Sequence, residues 1–463
     1  MTTQASGRPF ARRVTIVFAA KVVTFALGLV TTVVVSRFLG PGGKGAYVAI
    51  LAVPGMLGAV GVFGLPSAIN YYAARGASIP RLFRSGIIFA LGLSVVLIGL
   101  IWLALPFLEQ NILRGARDYD FLLRAILIAV PSVMLGTFTG TILYGLQEVR
   151  LYSAIMVAQG IGTLLLSVFF VGILRLSVEG AVLASLSISW LYAAVILAAV
   201  WRVSRRRPGK KPVSTRQLVS YGSRAYPASL TGFFNYRADT YIIQAMMATA
   251  AVSLGLYSLA VTMAELIFFI PDSVTMILLP RVAGASEQEA AEMLGRVSRM
   301  TVLISICCAI ALVPTAWLGI NLVLPAYRDC LPAFLVLLPA VVALCVAKVM
   351  NSYIGGRGRP GPISAGAAVA LVFNVAANLV LIPAWGIVGA AMASLLSYTV
   401  LAILMLAVAC RLSHRAPFEL VVPRLGDVRA AWALATHVRV KLLHQLSGRG
   451  PSVEVEPEDP GGL

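Results

Sequence analysis

Six ionisable side chains interrupt stretches that are otherwise apolar: Lys21, Arg237, Asp239, Glu265, Asp272 and Lys348. A charge among apolar residues is costly unless it meets a partner or a water-filled gap. Two kinds of chemistry are open to this set. Lys21, Arg237 and Lys348 could line a cavity that attracts an anionic headgroup, while Asp239 or Glu265 could bind a coupling ion, H+ or Na+. Spacing limits the pairing. Arg237 and Asp239 stand two apart, so on a helix they point roughly 200° from each other and cannot form a good pair. Each then needs its own partner, and a buried Arg237–Glu265 lock is the alternative to a cavity role. Lys348, near the end of its stretch, could instead carry its amine out to an interface.

Hydrolytic or metal chemistry has little to draw on. The three histidines (His414, His437, His444) all fall in the C-terminal tail, and the five cysteines show no CxxC spacing. Four of those cysteines sit in or beside apolar runs, where Cys packs as a small hydrophobe. No catalytic residue, metal site or cofactor is therefore expected, and the chain is not read as an enzyme. Asn374 and Asn378 share one helix face and are expected to hydrogen-bond between helices, worth about 1 kcal/mol each. Gly355-Gly-Arg-Gly-Arg359 lacks the Lys-Ser/Thr ending of a phosphate loop and reads as a tight basic turn.

The elements that must position these residues follow from composition. Of 463 residues, 59% are hydrophobic and 12% charged, with a mean hydropathy of +0.90. A soluble domain carries about a quarter charged residues. The chain is thus expected to be an all-α polytopic membrane protein, and a cytosolic enzyme is excluded. About twelve apolar spans can be drawn. The first six are Val14–Ser36, Ala46–Ile69, Ile87–Phe107, Phe121–Tyr144, Leu151–Leu174 and Gly180–Trp201. The second six are Tyr226–Met247, Leu254–Leu279, Thr301–Leu324, Leu331–Met350, Ile363–Ile382 and Gly389–Cys410. Pro54-Gly55 and Pro271 fall inside spans two and eight, where each is expected to bend its helix.

The net charge of +19 is topogenic rather than a sign of nucleic-acid binding. With the N-terminus inside, the cytoplasmic face receives Arg8, Arg12, Arg13, Arg75, Arg81, Arg84 and the run from Arg202 to Arg216. The opposite face receives far fewer, among them Arg37, Lys44 and Arg328. Both termini are expected in the cytoplasm.

The chain also repeats itself. Gly180-Ala-Val-Leu-Ala-Ser-Leu186 matches Gly389-Ala-Ala-Met-Ala-Ser-Leu395, and Gly45-Ala46-Tyr47 matches Gly255-Leu256-Tyr257, both at an offset near 210 residues. Each copy would hold six spans, an even number, so the two enter the membrane from the same side as parallel repeats. The expected organisation is a lobe over 1–201, a basic linker over 202–221, a second lobe over 222–412, and a cytoplasmic tail over 413–463. Within the tail, Val428, Trp432, Ala435, Val438, Leu442 and Leu446 recur at helical spacing beside Arg429, Arg439 and Lys441. That amphipathic pattern suits either an anionic leaflet or the protein's own loops. Gly448–Leu463 has a disordered composition.

Several segments resemble a known family. Ser36-Arg-Phe-Leu-Gly-Pro-Gly-Gly-Lys-Gly-Ala-Tyr47, Gly255-Leu-Tyr-Ser-Leu-Ala260, the Leu279-Pro280-Arg281 exit, and Asn378-Leu-Val-Leu-Ile-Pro383 with Gly386-Ile-Val-Gly-Ala390 resemble polysaccharide-biosynthesis membrane proteins. These belong to the multidrug/oligosaccharidyl-lipid/polysaccharide exporter superfamily, and the nearest branch looks like the O-antigen-type oligosaccharide flippases. The resemblance implies two six-helix lobes that move an undecaprenyl-pyrophosphate-linked oligosaccharide across a bacterial inner membrane. It also implies partners: the lipid-linked oligosaccharide itself, anionic membrane lipids, and a polysaccharide polymerase with other assembly proteins. Drug-exporting relatives typically carry a carboxylate in the first helix, where this chain has Lys21. A cation-coupled drug or small-solute exporter is the second reading. A membrane polymerase or ligase is a third, disfavoured because the longest outer connection, Leu108–Asp120, is short and has no histidine.

Overall fold

A computed structural model of the chain describes residues 7–424 apart from 208 and 210, together with 426, 427 and 429. The amphipathic stretch expected from Val428 to Leu446 lies outside these residues. The described chain is helical throughout, apart from one isolated bridge between Ala77 and Lys211. The first seven helices are α1 (Gly7–Gly61), α2 (Leu65–Ala74), α3 (Ile79–Asn111), α4 (Asp120–Ala125), α5 (Ala129–Gly145), α6 (Val149–Ser167) and α7 (Ser177–Arg206). The rest are α8 (Thr215–Met246), α9 (Ala250–Ala264), α10 (Phe269–Gly284), α11 (Glu287–Val323), α12 (Leu331–Gly356), α13 (Pro360–Ser413) and α14 (Pro417–Val421).

Among the described residues nine helical stretches are long and apolar enough to cross a membrane, against the twelve spans expected. Three places account for the difference. Helix α1 runs through the first expected span and most of the second, with one non-helical residue at Gly40 (φ 64°) just before Pro41. Helix α13 likewise carries the last two across Gly386 (φ 56°). Both breaks fall on glycine because a left-handed φ costs little there. The third place is α8, whose Arg237, Asp239 and many hydroxyls keep it out of the apolar set.

The breaks also correct the expected bends. Pro54 lies in uninterrupted helix, and the irregular residue of α1 is Gly40. Pro271 sits in the first turn of α10, just after a 3-10 segment at Glu265–Phe268. Proline has no N–H to offer the Ile267 carbonyl, so the turn before it tightens. The expected 202–221 linker is largely helical: α7 extends to Arg206, and α8 starts at Thr215 behind a Ser214/Gln217 capping box. What remains is strapped to the α2–α3 turn, where the Ser78 N–H donates to the Lys211 carbonyl at 2.9 Å.

Packing is concentrated within each half of the chain. In the first, α1 lies along α6 and α7, and α5 along α3 and α7; in the second, α12 lies along α10, α11 and α13, and α13 along α8. The halves meet where α1 crosses α9 and where α2 crosses α8. The first crossing is backbone against backbone. A Cβ on Gly45 would overlap the Ala251 carbonyl, and one on Gly255 would overlap the Pro41 carbonyl. These two glycines occupy matching places in the repeat.

The repeat is also visible in side-chain chemistry. The Tyr47 hydroxyl lies 2.7 Å from Ser185 Oγ, and the Tyr257 hydroxyl lies 3.5 Å from Ser394 Oγ. Each tyrosine and serine comes from the matched segments, so the same contact occurs once per half.

Hydrogen bonds to backbone carbonyls and stacked rings close the junction, among them one from Arg37 Nη1 to the Val323 carbonyl at 2.9 Å. Tyr226 Oη donates to the Val60 carbonyl at 2.8 Å, Tyr241 Oη to that of Ala52 at 3.0 Å, and Tyr327 Oη to that of Ser36 at 3.1 Å. Phe63 stacks on Tyr226 with ring centres 4.8 Å apart, and Tyr71 stacks on Tyr221 at 4.6 Å.

Candidate functional site

Two adjoining cavities lie between α1 and the α8–α10 segment. The smaller, about 220 Å3, is walled by Lys44, Tyr47, Arg237, Asp239, Tyr257 and Glu265, among others. The larger, about 510 Å3, is walled by Lys21, Thr24, Phe25, Glu265, Phe268 and Asp272, among others. Thr32, Thr262 and Glu265 belong to both walls. Glu265 therefore stands at the partition, carried there by the 3-10 turn that Pro271 enforces.

The structure thus gathers Lys21, Arg237, Asp239 and Glu265 around one connected space. The basic groups there share the walls with carboxylates but are in direct contact with none of them. Among the described residues neither Lys21 nor Arg237 makes an ion pair or a hydrogen bond, and the expected Arg237–Glu265 lock is absent. Both residues line the smaller cavity, Arg237 from α8 and Glu265 from the 3-10 turn before α10, without coming into salt-bridge contact.

Lys348 is arranged differently. Its ammonium donates to Asp272 Oδ1 at 2.8 Å and lies 4.0 Å from the centre of the Phe268 ring. It is absent from the lining of both cavities. Its charge is already matched, and it touches the larger cavity through two wall residues, Asp272 and Phe268.

Asp239 is held by its own half. Tyr257 Oη donates to Asp239 Oδ2 at 2.5 Å, and the Thr240 N–H donates to Oδ1 at 2.7 Å. A hydrogen bond to a charged group contributes about 1.5–3 kcal/mol. Tyr47, the counterpart of Tyr257, has only its serine as a hydrogen-bond partner among the described residues. The carboxylate is an addition to the second half alone.

Sequence reasoning missed Lys44. It was assigned to the outer face as a topogenic charge, yet the residue is 5% exposed and its amine has no hydrogen-bond partner. The amine lies 5.6 Å from the centre of the Tyr327 ring and borders the smaller cavity. The signal that could have found it is local. Gly40-Pro41 turns the chain back, and Gly43 and Gly45 pull the following helix onto its neighbours, carrying Lys44 inward. Asn374 and Asn378 also depart from expectation. Asn378 Nδ2 donates to the Asn374 carbonyl at 2.9 Å and to its Oδ1 at 3.0 Å, so these bonds run along α13 rather than between helices. At i,i+4 spacing the Asn378 amide N–H groups find their acceptors on Asn374, while the buried Asn378 Oδ1 has no partner among the described residues.

Comparison with known proteins agrees with this architecture. The chain is 24% identical, over 79% of its own length and 76% of the relative's, to a protein described as the probable low-salt glycan biosynthesis flippase Agl15 of Haloferax volcanii. It is similar in fold to an inward-facing multidrug resistance MATE family transporter of the MOP superfamily (TM-score 0.66, 15% identity, 84% of this chain and 95% of that one). The outward-facing conformation of such a transporter is also similar (TM-score 0.63, 15% identity, 87% of this chain and 96% of that one). A family model described as polysaccharide biosynthesis protein matches residues 10–286. That match spans more than half of the 463 residues, and with nine helical stretches among the described residues long and apolar enough to cross a membrane, the chain belongs to the polysaccharide biosynthesis protein family.

Proposed function

We propose that the chain is a flippase that carries a lipid-linked oligosaccharide, of the undecaprenyl-pyrophosphate type, across the bacterial cytoplasmic membrane for surface polysaccharide export. The observation that carries this reading is a set of basic side chains in no salt bridge among the described residues, Lys21, Arg237 and Lys44, around adjoining cavities at the junction of the two halves. A pyrophosphate would pair with these side chains, and the sugar finds hydroxyl partners in Thr24, Thr32 and Thr262. The prenyl chain stays in lipid. Rocking of the two halves about the Gly45–Gly255 crossing would open the space to each side in turn. Lys348 reaches a headgroup only by leaving Asp272, so its part is to exchange partners during that motion. Asp239 and Glu265 are the groups for a coupling H+ or Na+. Both termini lie in the cytoplasm, where the tail meets anionic lipid and the polymerase and assembly proteins receive their product on the far side.

The name of the Haloferax relative and the family description support a glycan substrate. The direct test is complementation of a deletion strain with Lys21→Ala and Arg237→Ala. Both should lose polysaccharide export while remaining in the membrane, and normal export from both variants would overturn the cationic site. A second reading, an H+- or Na+-coupled exporter of drugs or small solutes, draws on the two carboxylates in the same cavities. It predicts raised dye and drug tolerance in a pump-deficient host, and unchanged tolerance counts against it.

A further inference from the structure

A third cavity lies away from the junction and shares no residue with the other two. It is a groove of about 390 Å3 between α6 and α7, with Leu151 and Ile155 on one wall and Val195, Ala198, Ala199 and Val203 on the other. Arg202 and Arg206 complete it. The α7 residues recur at three- and four-residue spacing, so they form one stripe. Ala198 and Ala199 are small enough to leave a depression, while the arginines close one end.

The arginines at the end of α7 divide into two groups. Arg205 lies over the Trp201 ring at 3.9 Å, and Arg207 is paired with Glu148 at 3.1 Å. Both are occupied by the protein itself. Arg202 and Arg206 have no ion pair or ring contact among the described residues, and both border the groove. Glu148, one turn before Leu151, is already neutralised by Arg207. Two guanidinium groups one helical turn apart are thus left facing an apolar trough with no anion.

We propose that this groove is a binding site for an anionic phospholipid. The phosphodiester would sit between Arg202 and Arg206, whose planar forks match phosphate oxygens. The acyl chain would run along Val203, Ala199 and Val195 against Ile155. From Val195 to Arg206 the groove follows α7 for roughly 16 Å, half the thickness of a hydrocarbon core. Charge at one end and apolar wall along the rest select a lipid over a soluble anion, which would leave the apolar wall uncovered. The basic end coincides with the run that marks the side expected to face the cytoplasm, whose leaflet is the anionic one. The site is independent of the transported substrate, since its walls are separate from both central cavities.

Native mass spectrometry of the full-length protein in detergent, titrated with dioleoyl-phosphatidylglycerol or dioleoyl-phosphatidylcholine, tests the assignment. Phosphatidylglycerol should be retained and phosphatidylcholine should not. Arg202→Gln with Arg206→Gln should weaken phosphatidylglycerol binding about tenfold. The corresponding double lysine variant should lose less, and Arg205→Gln should bind as the unaltered protein does. Glycerol phosphate in excess should fail to displace the lipid; displacement at equal concentration would identify a soluble-anion site and overturn the proposal. Equal retention of the two lipids, or full retention by the double glutamine variant, would also overturn it. If that variant does not fold, a diazirine-bearing phosphatidylglycerol on the unaltered protein decides. Crosslinks concentrated at 151–155 and 195–203 support the site, and crosslinks spread evenly over the apolar surface refute it.

Discussion

Replacing Lys44 by methionine should make the protein more stable and stop it working. The lysine is 5% exposed, and its amine, with three N–H groups, has no acceptor. A buried donor left unsatisfied costs about 1–3 kcal/mol. The offset is the Tyr327 ring, 5.6 Å away, and a cation–π contact contributes about 0.5–1 kcal/mol at an exposed site, rising to about 2 kcal/mol when desolvated. Methionine keeps the unbranched stem and most of the volume while removing the donors, so the net gain should be no more than about 1 kcal/mol. Thermal unfolding in detergent, followed by loss of monodisperse protein on size exclusion, would read this as an upward shift of the midpoint. Export of polysaccharide by a complemented deletion strain would fall in the same variant if the proposed headgroup site is correct, since Lys44 lines the smaller cavity. A group retained at a cost to folding is explained by function. The opposite pairing, a lowered midpoint with export intact, would show that Lys44 is a structural residue and that the cavity is not built to receive an anion.

Tyr257→Phe should cost about 1.5–3 kcal/mol, since it strips a hydrogen bond from the buried Asp239, whereas Tyr47→Phe should cost only about 1 kcal/mol; melting midpoints of the two variants compare the halves directly, and equal losses would remove the distinction. Gly45→Ala should lose about 1–3 kcal/mol by overpacking against the Ala251 backbone, while Gly55→Ala, with no heavy atom within 4 Å of its added methyl, should be neutral or mildly stabilising. On the basic side of the fold, Arg299 donates to Asp427 at 2.7 Å and to the Glu419 carbonyl at 2.7 Å, with the two ionic side chains 12% and 9% exposed. The Arg299 hydrogen bond holds the Asp427 carboxyl below its ordinary value of 3.8. Its contribution to docking α14 is therefore complete above that value and disappears only as pH falls through the depressed one. Pepsin should leave 417–422 intact at pH 4.5 but cut it in more acid buffer, and Asp427→Ala should expose the segment already at pH 4.5.

The membrane-crossing character and the duplication were legible because they rest on repeated local facts. Apolar runs mark helices wherever they occur, and the Gly180 and Gly389 segments are identical at five of seven positions. The placing of Lys21, Arg237, Asp239 and Glu265 near one space was also within reach, since a charge in an apolar run must go somewhere wet or paired. What stayed hidden depends on contacts distant in sequence. Lys44 is buried because α1 returns against α9 and Tyr327, and nothing in its immediate neighbours separates it from an ordinary loop lysine. Lys348 found Asp272 rather than a cavity because the two face each other across α10 and α12. The breaks at Gly40 and Gly386 outcompeted Pro54 because a helix absorbs a proline more readily than a reversal of φ.

The ion pairs Arg207–Glu148, Lys348–Asp272, Arg299–Asp427 and Arg357–Glu287 each stay within one half. Hydrogen bonds to carbonyl oxygens, three from tyrosine hydroxyls and one from Arg37, together with flat aromatic faces, join the halves instead. Each such hydroxyl bond is worth about 1 kcal/mol, and water can replace it at little loss. A carbonyl one turn further along the opposing helix is chemically the same acceptor, so a bond given up at one register can be remade at the next. In the proposed rocking motion such a seam would act as a low-friction bearing, holding at rest and yielding to modest binding energies.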